Sequence, residues 1–158
     1  MDRPRVYLET SVISYLTARL SRDLVTVGRQ ELTREWWESQ REGYRLFISE
    51  FVVTEAAAGD PEAARLRLDA LAGLPEIALT VETRELARTL VEPGPIPRVA
   101  AVDAFHIAAA VSGGADYLLT WNFKHLANAQ LRKRIDAVCI AQDYEPPVIC
   151  TPEELMGS

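Results

Sequence analysis

The alternation of short apolar segments with longer helical ones is the sequence feature that most restricts how this chain can fold. The apolar segments predicted to be β-strands are residues 5–8, 44–49, 77–80, 117–119 and 146–150. Strands that are separated by helices throughout a chain form a parallel sheet, which the helices cover on both faces. We therefore predict an α/β protein with three layers, α/β/α, around a mostly parallel central sheet of four to five strands.

Capping residues and apolar spacing locate the helices between these strands. Asp60-Pro61 places a capping acid before a proline at the first helical position, and Thr151-Pro152-Glu153-Glu154 has the pattern of a capping box. The sequence predicts helices at residues 12–16, 21–43, 50–58, 61–72, 82–91, 98–111 and 129–138, with a short one after Thr151. The proline-rich loop 93–97 is too short to separate two domains, so we expect it to orient the helix that follows.

Residues 103–126 are the stretch around which the predicted site is organised. Asp103 opens a small-residue helix, and Gly113-Gly114 are expected to end it because glycine adopts the left-handed cap conformation freely. The buried strand 117–119 then delivers Thr120, Trp121 and Asn122 to its carboxyl end. Ligands bind outside the carboxyl ends of the strands in open α/β sheets, so a carboxylate facing these polar groups indicates an active-site layout.

Composition excludes several classes of function. The chain has 158 residues, 48% of them hydrophobic, and we predict a single domain over residues 1–158. Its net charge of −6 argues against a protein that binds nucleic acid by bulk electrostatics, although a local basic patch remains compatible with it. Cys139 and Cys150 lack metal-ligand spacing and are predicted to be reduced thiols. No signal peptide or membrane-spanning run is found, so we expect a cytoplasmic protein without membrane contact.

Oxygen-bearing side chains follow the predicted strands at the edge where a parallel sheet would gather them. Glu9 ends the first strand, Glu50 and Glu55 follow the second, Asp103 starts the later helix and Asn122 ends the next strand. Carboxylate and amide oxygens suit a hard divalent cation such as Mg²⁺ or Mn²⁺. Such an ion activates water and stabilises charge on phosphoryl oxygens, so hydrolysis of a phosphodiester is the chemistry that this set favours.

Each of these acids also has a structural explanation. Acids near helix starts commonly stabilise the helix dipole, by about 0.3–1 kcal/mol each. Glu50 and Glu55 lie five residues apart, about 140° around a helix, so both cannot point equally at one metal ion. Asp116 begins the strand that Asn122 ends, roughly 20 Å away along the chain, and is predicted to be a turn residue.

Histidine, tryptophan and arginine positions leave further alternatives open. His106, three residues after Asp103, is predicted to be a packed core residue, with a catalytic role as the minority interpretation. His125 could contact phosphate in the polar turn. Trp36, Trp37 and Leu32 form an apolar stripe that indicates core packing, or else a partner groove. The run Arg132-Lys133-Arg134 is the best local candidate for RNA-backbone contact.

Four segments of the chain resemble PIN-domain proteins, and most of all the VapC-type toxin ribonucleases. They are YLETSVISYL at 7–16, ISEFVVTE at 48–55, DAFHIAAA at 103–110 and LLTWNF at 118–123. The resemblance extends to about residue 150, and the order and spacing of the segments make it more specific than any one of them. It implies a parallel-sheet α/β/α fold, an endoribonuclease that depends on Mg²⁺ or Mn²⁺, a small antitoxin partner and a homodimer.

The resemblance also implies which residues form the site. Position by position, the catalytic set falls on Glu9, Glu55, Asp103 and Asn122, with the first three as metal ligands. Among the two candidates on the second helix, the spacing from Ser49 selects Glu55. Residues implied in the same pocket, as substrate contacts, are Ser11, Thr120 and His106.

This chain departs from the family pattern at two of these positions. Glu9 stands where the family usually has an aspartate, which moves the carboxylate one methylene outward, and Asn122 replaces a carboxylate by an amide. We therefore expect the second of two metals to bind weakly or only with substrate. The leading hypothesis is a metal-dependent ribonuclease acting on RNA. The alternative is a weakened RNA- or protein-binding module, and an aspartyl phosphatase lacks the aspartate it needs after the first strand.

Overall fold

A computed structural model describes residues 2–156 and contains a five-stranded parallel sheet with strand order β3-β2-β1-β4-β5. The strands are β1 (Arg5–Leu8), β2 (Arg45–Ser49), β3 (Glu76–Ile77), β4 (Tyr117–Leu119) and β5 (Val148–Cys150). Every pairing is parallel, including those of β1 with β2 and with β4. The three-layer α/β/α prediction is therefore confirmed, and the sheet is wholly parallel.

Eight α-helices connect and cover these strands in the described part of the chain. They are α1 (Thr10–Thr17), α2 (Leu24–Ser39), α3 (Glu50–Ala56), α4 (Pro61–Leu71), α5 (Val81–Val91), α6 (Ala101–Ser112), α7 (Ala129–Ala141) and α8 (Pro152–Leu155). The predicted capping acid Asp60 accepts a hydrogen bond from the Ala63 backbone, and the capping box at Thr151 is present. Local capping chemistry thus located these helix starts correctly.

Three predicted boundaries differ because other backbone arrangements take over. The third strand lies at 76–77 instead of 77–80, because Thr80 forms a capping box with Thr83 that starts α5. The helix predicted at 21–43 begins after its cap Asp23 and ends at Ser39, and a 3₁₀ turn occupies Arg41–Gly43. The helix predicted from 98 starts with another 3₁₀ turn, Arg98–Ala100.

The two glycines that end α6 have different roles, which corrects the single reason predicted for both. Gly114 has a positive φ of 68°, the left-handed conformation expected of a helix terminus. Gly113 has a φ of −84°, which any residue can adopt. A Cβ atom at Gly113 would instead collide with the Phe47 ring of β2. Gly113 therefore permits close packing of α6 on the sheet.

The core lies on both faces of the sheet. β1 is buried at Val6, Tyr7 and Leu8, and the middle of α6 is buried from Ala104 to Ala110 apart from Phe105. Trp36 is fully buried, with Leu32 and Trp37 packed against the core, so the apolar stripe of α2 is core packing. Within residues 2–156, no helix has the length and apolarity needed to cross a bilayer.

Candidate active site at the carboxyl edge of the sheet

Glu9 lies where β1 ends and α1 begins, at the centre of the sheet. Its carboxylate caps α1: Oε2 accepts a hydrogen bond from the Ser11 backbone at 3.1 Å. Its Oε1 accepts from the hydroxyls of Ser11 and Thr120, each at 2.5 Å. The Glu9 residue is only 6% exposed, so three neutral donors hold a nearly buried carboxylate. Ser11 and Thr120, which the resemblance implied as substrate contacts, lie beside Glu9 and donate hydrogen bonds to it.

Glu55 reaches the same edge from the last turn of α3. Its Oε1 accepts hydrogen bonds from the Thr10 hydroxyl at 2.7 Å and from His106 Nε2 at 2.6 Å. Partial burial opposes ionisation of Glu55, but the hydrogen bonds that its carboxylate accepts from His106 and Thr10 lower its pKa below the ordinary value. Glu55 is therefore an ionised carboxylate near neutral pH.

A buried chain of polar side chains lies beneath Glu55. His106 Nδ1 is 2.6 Å from the Tyr7 hydroxyl, which in turn is 2.8 Å from the Ser49 hydroxyl. His106 and Ser49 are inaccessible to solvent, as is Tyr7. Burial raises the pKa of Tyr7 far above its ordinary value, and the nearby Glu9 and Glu55 charges act in the same direction. Tyr7 is therefore a neutral phenol that can donate one hydrogen bond and accept another.

Asp103 and Asn122 occupy the adjoining part of the edge but make separate contacts. The Asp103 Oδ2 atom is 3.1 Å from His125 Nδ1, and both side chains are largely buried. The Asn122 Oδ1 atom accepts backbone hydrogen bonds from Lys124 and His125, both at 3.1 Å. These bonds use both lone pairs of the Asn122 oxygen, so that oxygen stabilises a turn.

The donors at this edge suit a divalent cation. Ligand atoms of Glu9, Glu55 and His106 lie within 4.8 Å of one another. Both hydrogen bonds to Glu55 go to Oε1, and across residues 2–156 its Oε2 has no protein partner. In the same range of residues, neither Glu9, Glu55 nor Asp103 forms an ion pair with a lysine or arginine. Ionised carboxylates without a fixed cationic partner are the arrangement that an external cation would neutralise.

Most of the predicted site residues lie at one edge, although not all of them converge. Glu9 and Glu55 come together, whereas Asp103 is absent from the group of three ligand atoms and pairs with His125. Glu50, the competing acid on α3, instead forms an ion pair with Arg84 at 3.1 Å. The choice of Glu55 over Glu50 therefore agrees with the geometry.

His106 is more central than its sequence pattern indicated. The sequence favoured a packed core histidine, and the side chain is indeed buried, but both ring nitrogens take part in the polar chain below the acids. The available signal was its position three residues after Asp103, in a helix whose other residues are mostly apolar. Its partner Tyr7 gave no signal, because a tyrosine in a short apolar strand reads as ordinary core.

The sequence comparisons identify the family. The family model described as PIN domain matches residues 6–131, which is most of the chain and includes all four edge positions. The chain belongs to the PIN-domain family. None of the curated proteins matches its sequence significantly.

Three of the solved structures that resemble this PIN domain are bacterial proteins. VapBC2 from Rickettsia felis, bound to a promoter DNA fragment, has a TM-score of 0.59 at 18% identity and covers 92% of this chain and 97% of its own. VapC20 from Mycobacterium tuberculosis, a sarcin-ricin loop cleaving toxin, has a TM-score of 0.58 at 17% identity, and the match covers 75% of this chain and 91% of VapC20. VapBC-1 from nontypeable Haemophilus influenzae has a TM-score of 0.56 at 18% identity, and the match covers 94% of this chain and 98% of the other. At these identities the likeness establishes the shared fold.

Proposed function

We propose that this PIN domain is an endoribonuclease that hydrolyses RNA phosphodiester bonds with Mg²⁺ or Mn²⁺, as the toxin of a toxin–antitoxin pair. The observation that carries the proposal is the meeting of Glu9 and Glu55 at the carboxyl edge of the sheet, with no lysine or arginine partner within residues 2–156. Membership of the PIN family and the similarity to VapC20, a sarcin-ricin loop cleaving toxin, support the same assignment.

Glu9, Glu55 and Asp103 would hold the metal through carboxylate oxygens. A bound ion of this kind activates water and stabilises charge that develops on the phosphoryl oxygens. The chain itself holds two of these ligands in place: Ser11 and Thr120 donate to Glu9, and Thr10 and His106 donate to Glu55. Each of these two ligands keeps its geometry without the ion, so little ordering is needed when the ion binds.

RNA contact beside the acids would depend on residues that follow Asn122. Phe123 is 42% exposed, and the Arg29 guanidinium lies 4.5 Å from its ring centroid. Exposed aromatic rings and arginine planes stack on unpaired bases, while lysine and arginine attract phosphate. The exposed Lys124 adds a second cation at the same turn. A protein with a net charge of −6 needs such a local site to hold RNA.

A matched pair of variants tests the ribonuclease proposal. Glu55→Gln removes the charge of a proposed ligand, whereas Glu50→Gln makes the same change on the same helix in a residue paired with Arg84. With single-stranded RNA and Mn²⁺, we expect cleavage by wild type and by Glu50→Gln, and at least about a 100-fold loss in Glu55→Gln. Equal rates in all three proteins, or cleavage that persists in EDTA, would contradict the proposal.

A small antitoxin protein is the proposed partner. The neighbours from R. felis and H. influenzae are VapBC complexes, which supports a protein partner for this chain. Apolar side chains are exposed at the beginning of α2, where Leu24 is 83% and Val25 is 59% exposed. If this surface binds the antitoxin, the product of an adjacent reading frame should co-purify with the wild-type chain and not with Leu24→Ser. Light scattering of the isolated chain tests the proposed homodimer separately.

The second candidate is a PIN-fold module that binds RNA without cutting it. The observation that favours it is the turn around Asn122, whose amide oxygen already accepts two backbone hydrogen bonds. Asn122 can assist a metal only if that turn opens. Tight RNA binding by wild type, without cleavage at any Mn²⁺ concentration, is the result that would favour this candidate over the nuclease.

A further inference from the structure

Four side chains from separate parts of the sequence form one continuous hydrogen-bonded chain under the candidate site. Ser49 at the end of β2 contacts Tyr7 of β1, Tyr7 contacts His106 of α6, and His106 contacts Glu55 of α3. The separations are 2.8, 2.6 and 2.6 Å. Since three of the four residues are fully buried, no water competes for their polar atoms.

The direction of this chain follows from what each atom can donate. The Phe51 backbone N–H donates to Ser49 Oγ at 3.2 Å, which leaves the Ser49 O–H free to donate to the Tyr7 oxygen. The Tyr7 O–H then donates to His106 Nδ1. The remaining ring nitrogen, Nε2, faces a carboxylate oxygen of Glu55, which only accepts when ionised. Nε2 therefore carries the proton, and every polar hydrogen in the chain has an acceptor.

Both other protonation patterns leave a group unsatisfied. If Nδ1 alone carried the proton, the bare Nε2 and the Glu55 oxygen would be two acceptors facing each other at 2.6 Å. If both nitrogens carried protons, Tyr7 would donate to Ser49, and the Ser49 O–H would find no acceptor within hydrogen-bonding distance anywhere in residues 2–156. A buried polar group left without a partner destabilises the fold, because the loss of its hydration is not compensated.

We propose that His106, as its neutral Nε2–H tautomer, is a positioning residue that aims Glu55 and is not itself a metal ligand. The inference rests on the proposed metal site and specifies how that site is built. Although the His106 ring is close enough to Glu9 and Glu55 to complete a three-ligand group, its Nε2 lone pair is replaced by a proton. Tyr7 and Ser49 favour this tautomer, because the Tyr7 O–H donates to Nδ1 and the Ser49 O–H donates to Tyr7.

This assignment makes the site an oxygen-only site. Carboxylate and water ligands suit Mg²⁺ and Mn²⁺, whereas an imidazole ligand would favour Zn²⁺ and other nitrogen-binding metals. Partners that orient a metal ligand through a hydrogen bond typically change metal affinity by about 10- to 100-fold when they are removed. His106 should therefore influence how tightly the ion binds without contacting it.

The first test measures where the proton lies. In protein labelled with ¹⁵N-histidine, the chemical shifts of the two ring nitrogens distinguish a protonated nitrogen from a bare one. The chain has two histidines, so a His125→Gln variant assigns the signals. We expect a protonated Nε2 and a hydrogen-bonded, bare Nδ1 in His106, with and without Mg²⁺. A proton on Nδ1, or an Nε2 that becomes metal-bound on adding Mg²⁺, would overturn the inference.

The second test compares two amides at position 106. Glutamine places an N–H donor near the position of Nε2, whereas asparagine reaches only the position of Nδ1. By calorimetry with Mn²⁺, we expect His106→Gln to keep affinity within about threefold and His106→Asn to lose about tenfold or more. Equal affinities in the two variants would overturn the positioning role.

Tyr7→Phe completes the design, because it keeps the ring and removes only the hydroxyl that contacts Nδ1. We expect the Nδ1 signal of His106 to move toward that of an unbonded nitrogen and Mn²⁺ binding to weaken. An Nδ1 signal unchanged from wild type would contradict the role of Tyr7. If wild type binds no Mn²⁺ at all, the proposed function fails, while the protonation of His106 in the metal-free protein still decides the inference.

Discussion

The carboxylates at the two edges of the parallel sheet have different hydrogen-bond partners. At the amino edge, Asp116 accepts a hydrogen bond from the Arg5 backbone at 2.8 Å, and the Arg5 side chain donates to Gly113 O and lies over the Phe47 ring. At the carboxyl edge, Glu9 and Glu55 receive only neutral donors and one histidine. The acid at the amino edge therefore bonds to the backbone of the neighbouring strand, whereas the acids at the carboxyl edge are held mainly by side chains and, within residues 2–156, have no lysine or arginine partner.

The difference shows how an acid can be recognised as functional. Asp116 ties the start of β4 to β1, is exposed to solvent and belongs to no group of converging ligand atoms within residues 2–156. Glu55 has one oxygen fully engaged and the other without a protein partner in the described chain. A rigidly held carboxylate with a free oxygen and no cationic neighbour is costly unless a cation or water completes it.

The largest expected effect is a loss of RNA cleavage when an acid is neutralised at the carboxyl edge but not at the amino edge. Asp103→Asn and Asp116→Asn make the same chemical change at opposite edges of the sheet. We expect Mn²⁺-dependent RNA cleavage to fall at least about 100-fold in the first variant and to stay near wild type in the second, because only Asp103 is a proposed ligand. Single-turnover cleavage rates measure this, and a comparable loss in both variants would break the comparison.

The next effect is the stabilisation conferred by the metal. Mn²⁺ at about 100 times its dissociation constant should stabilise the folded chain by about 2.7 kcal/mol, visible as a higher melting temperature. Glu9→Gln should remove most of this shift, because it neutralises a carboxylate that three donors hold at the site. Asp116→Asn should retain the full shift. If adding Mn²⁺ leaves the melting temperature of the wild-type protein unchanged, that result would argue against a preformed metal site.

A packing variant should perturb the amino edge without altering the carboxyl edge. Gly113→Ala places a methyl group against the Phe47 ring and should destabilise the protein by about 1–3 kcal/mol, as overpacking does. Gly28→Ala, in the open middle of α2, has nothing within 4 Å of the new Cβ atom and should stabilise it by roughly 0.5–1 kcal/mol. Urea unfolding measures both, and calorimetry should give an unchanged Mn²⁺ affinity for either. Weaker Mn²⁺ binding in Gly113→Ala would mean that the two edges are coupled.

The smallest effect concerns two buried thiols, those of Cys139 in α7 and Cys150 in β5. Burial raises the pKa of Cys139 to about 11 and that of Cys150 to about 12. Because the folded state holds these protons more tightly than the unfolded chain, they add stability below pH 9 that is lost as pH rises toward 11–12. Chemical unfolding between pH 8 and 11 should show this decline, reduced in Cys139→Ala. Alkylation at pH 8 should be slow in the native protein and fast in urea, and rapid native labelling would contradict the burial.

Much of the fold could be predicted because local rules agreed with one another. The apolar strands, Asp60-Pro61 and the capping box at Thr151 are local features, and each specified its element. Errors came where two local rules competed, as at Thr80, where a capping box ended the predicted strand early. The role of Gly113 was missed for another reason: its clash partner Phe47 lies far away in sequence.

The candidate site likewise has features that the sequence predicts and features that depend on tertiary packing. Parallel topology alone brings Glu9, the α3 acids and Asp103 to one edge, and the spacing around a helix shows that Glu50 and Glu55 must point apart. Which of those two faces Glu9 depends on the orientation of α3, with Arg84 positioned to pair with Glu50. Asn122 could be placed at the strand end, but the two backbone donors to its oxygen could not be inferred from spacing.

The parallel α/β/α fold and the acidic edge follow from the sequence alone, because strand periodicity, helix caps and chain order are local properties. Ser49, Tyr7, His106 and Glu55 form one hydrogen-bonded chain only after folding, since its partners lie 42 to 99 residues apart. Hydrogen-bond direction depends on which donors and acceptors meet after packing, and no single segment contains that information. The protonation of His106 is therefore set by the two strands and two helices whose side chains meet in this hydrogen-bonded chain.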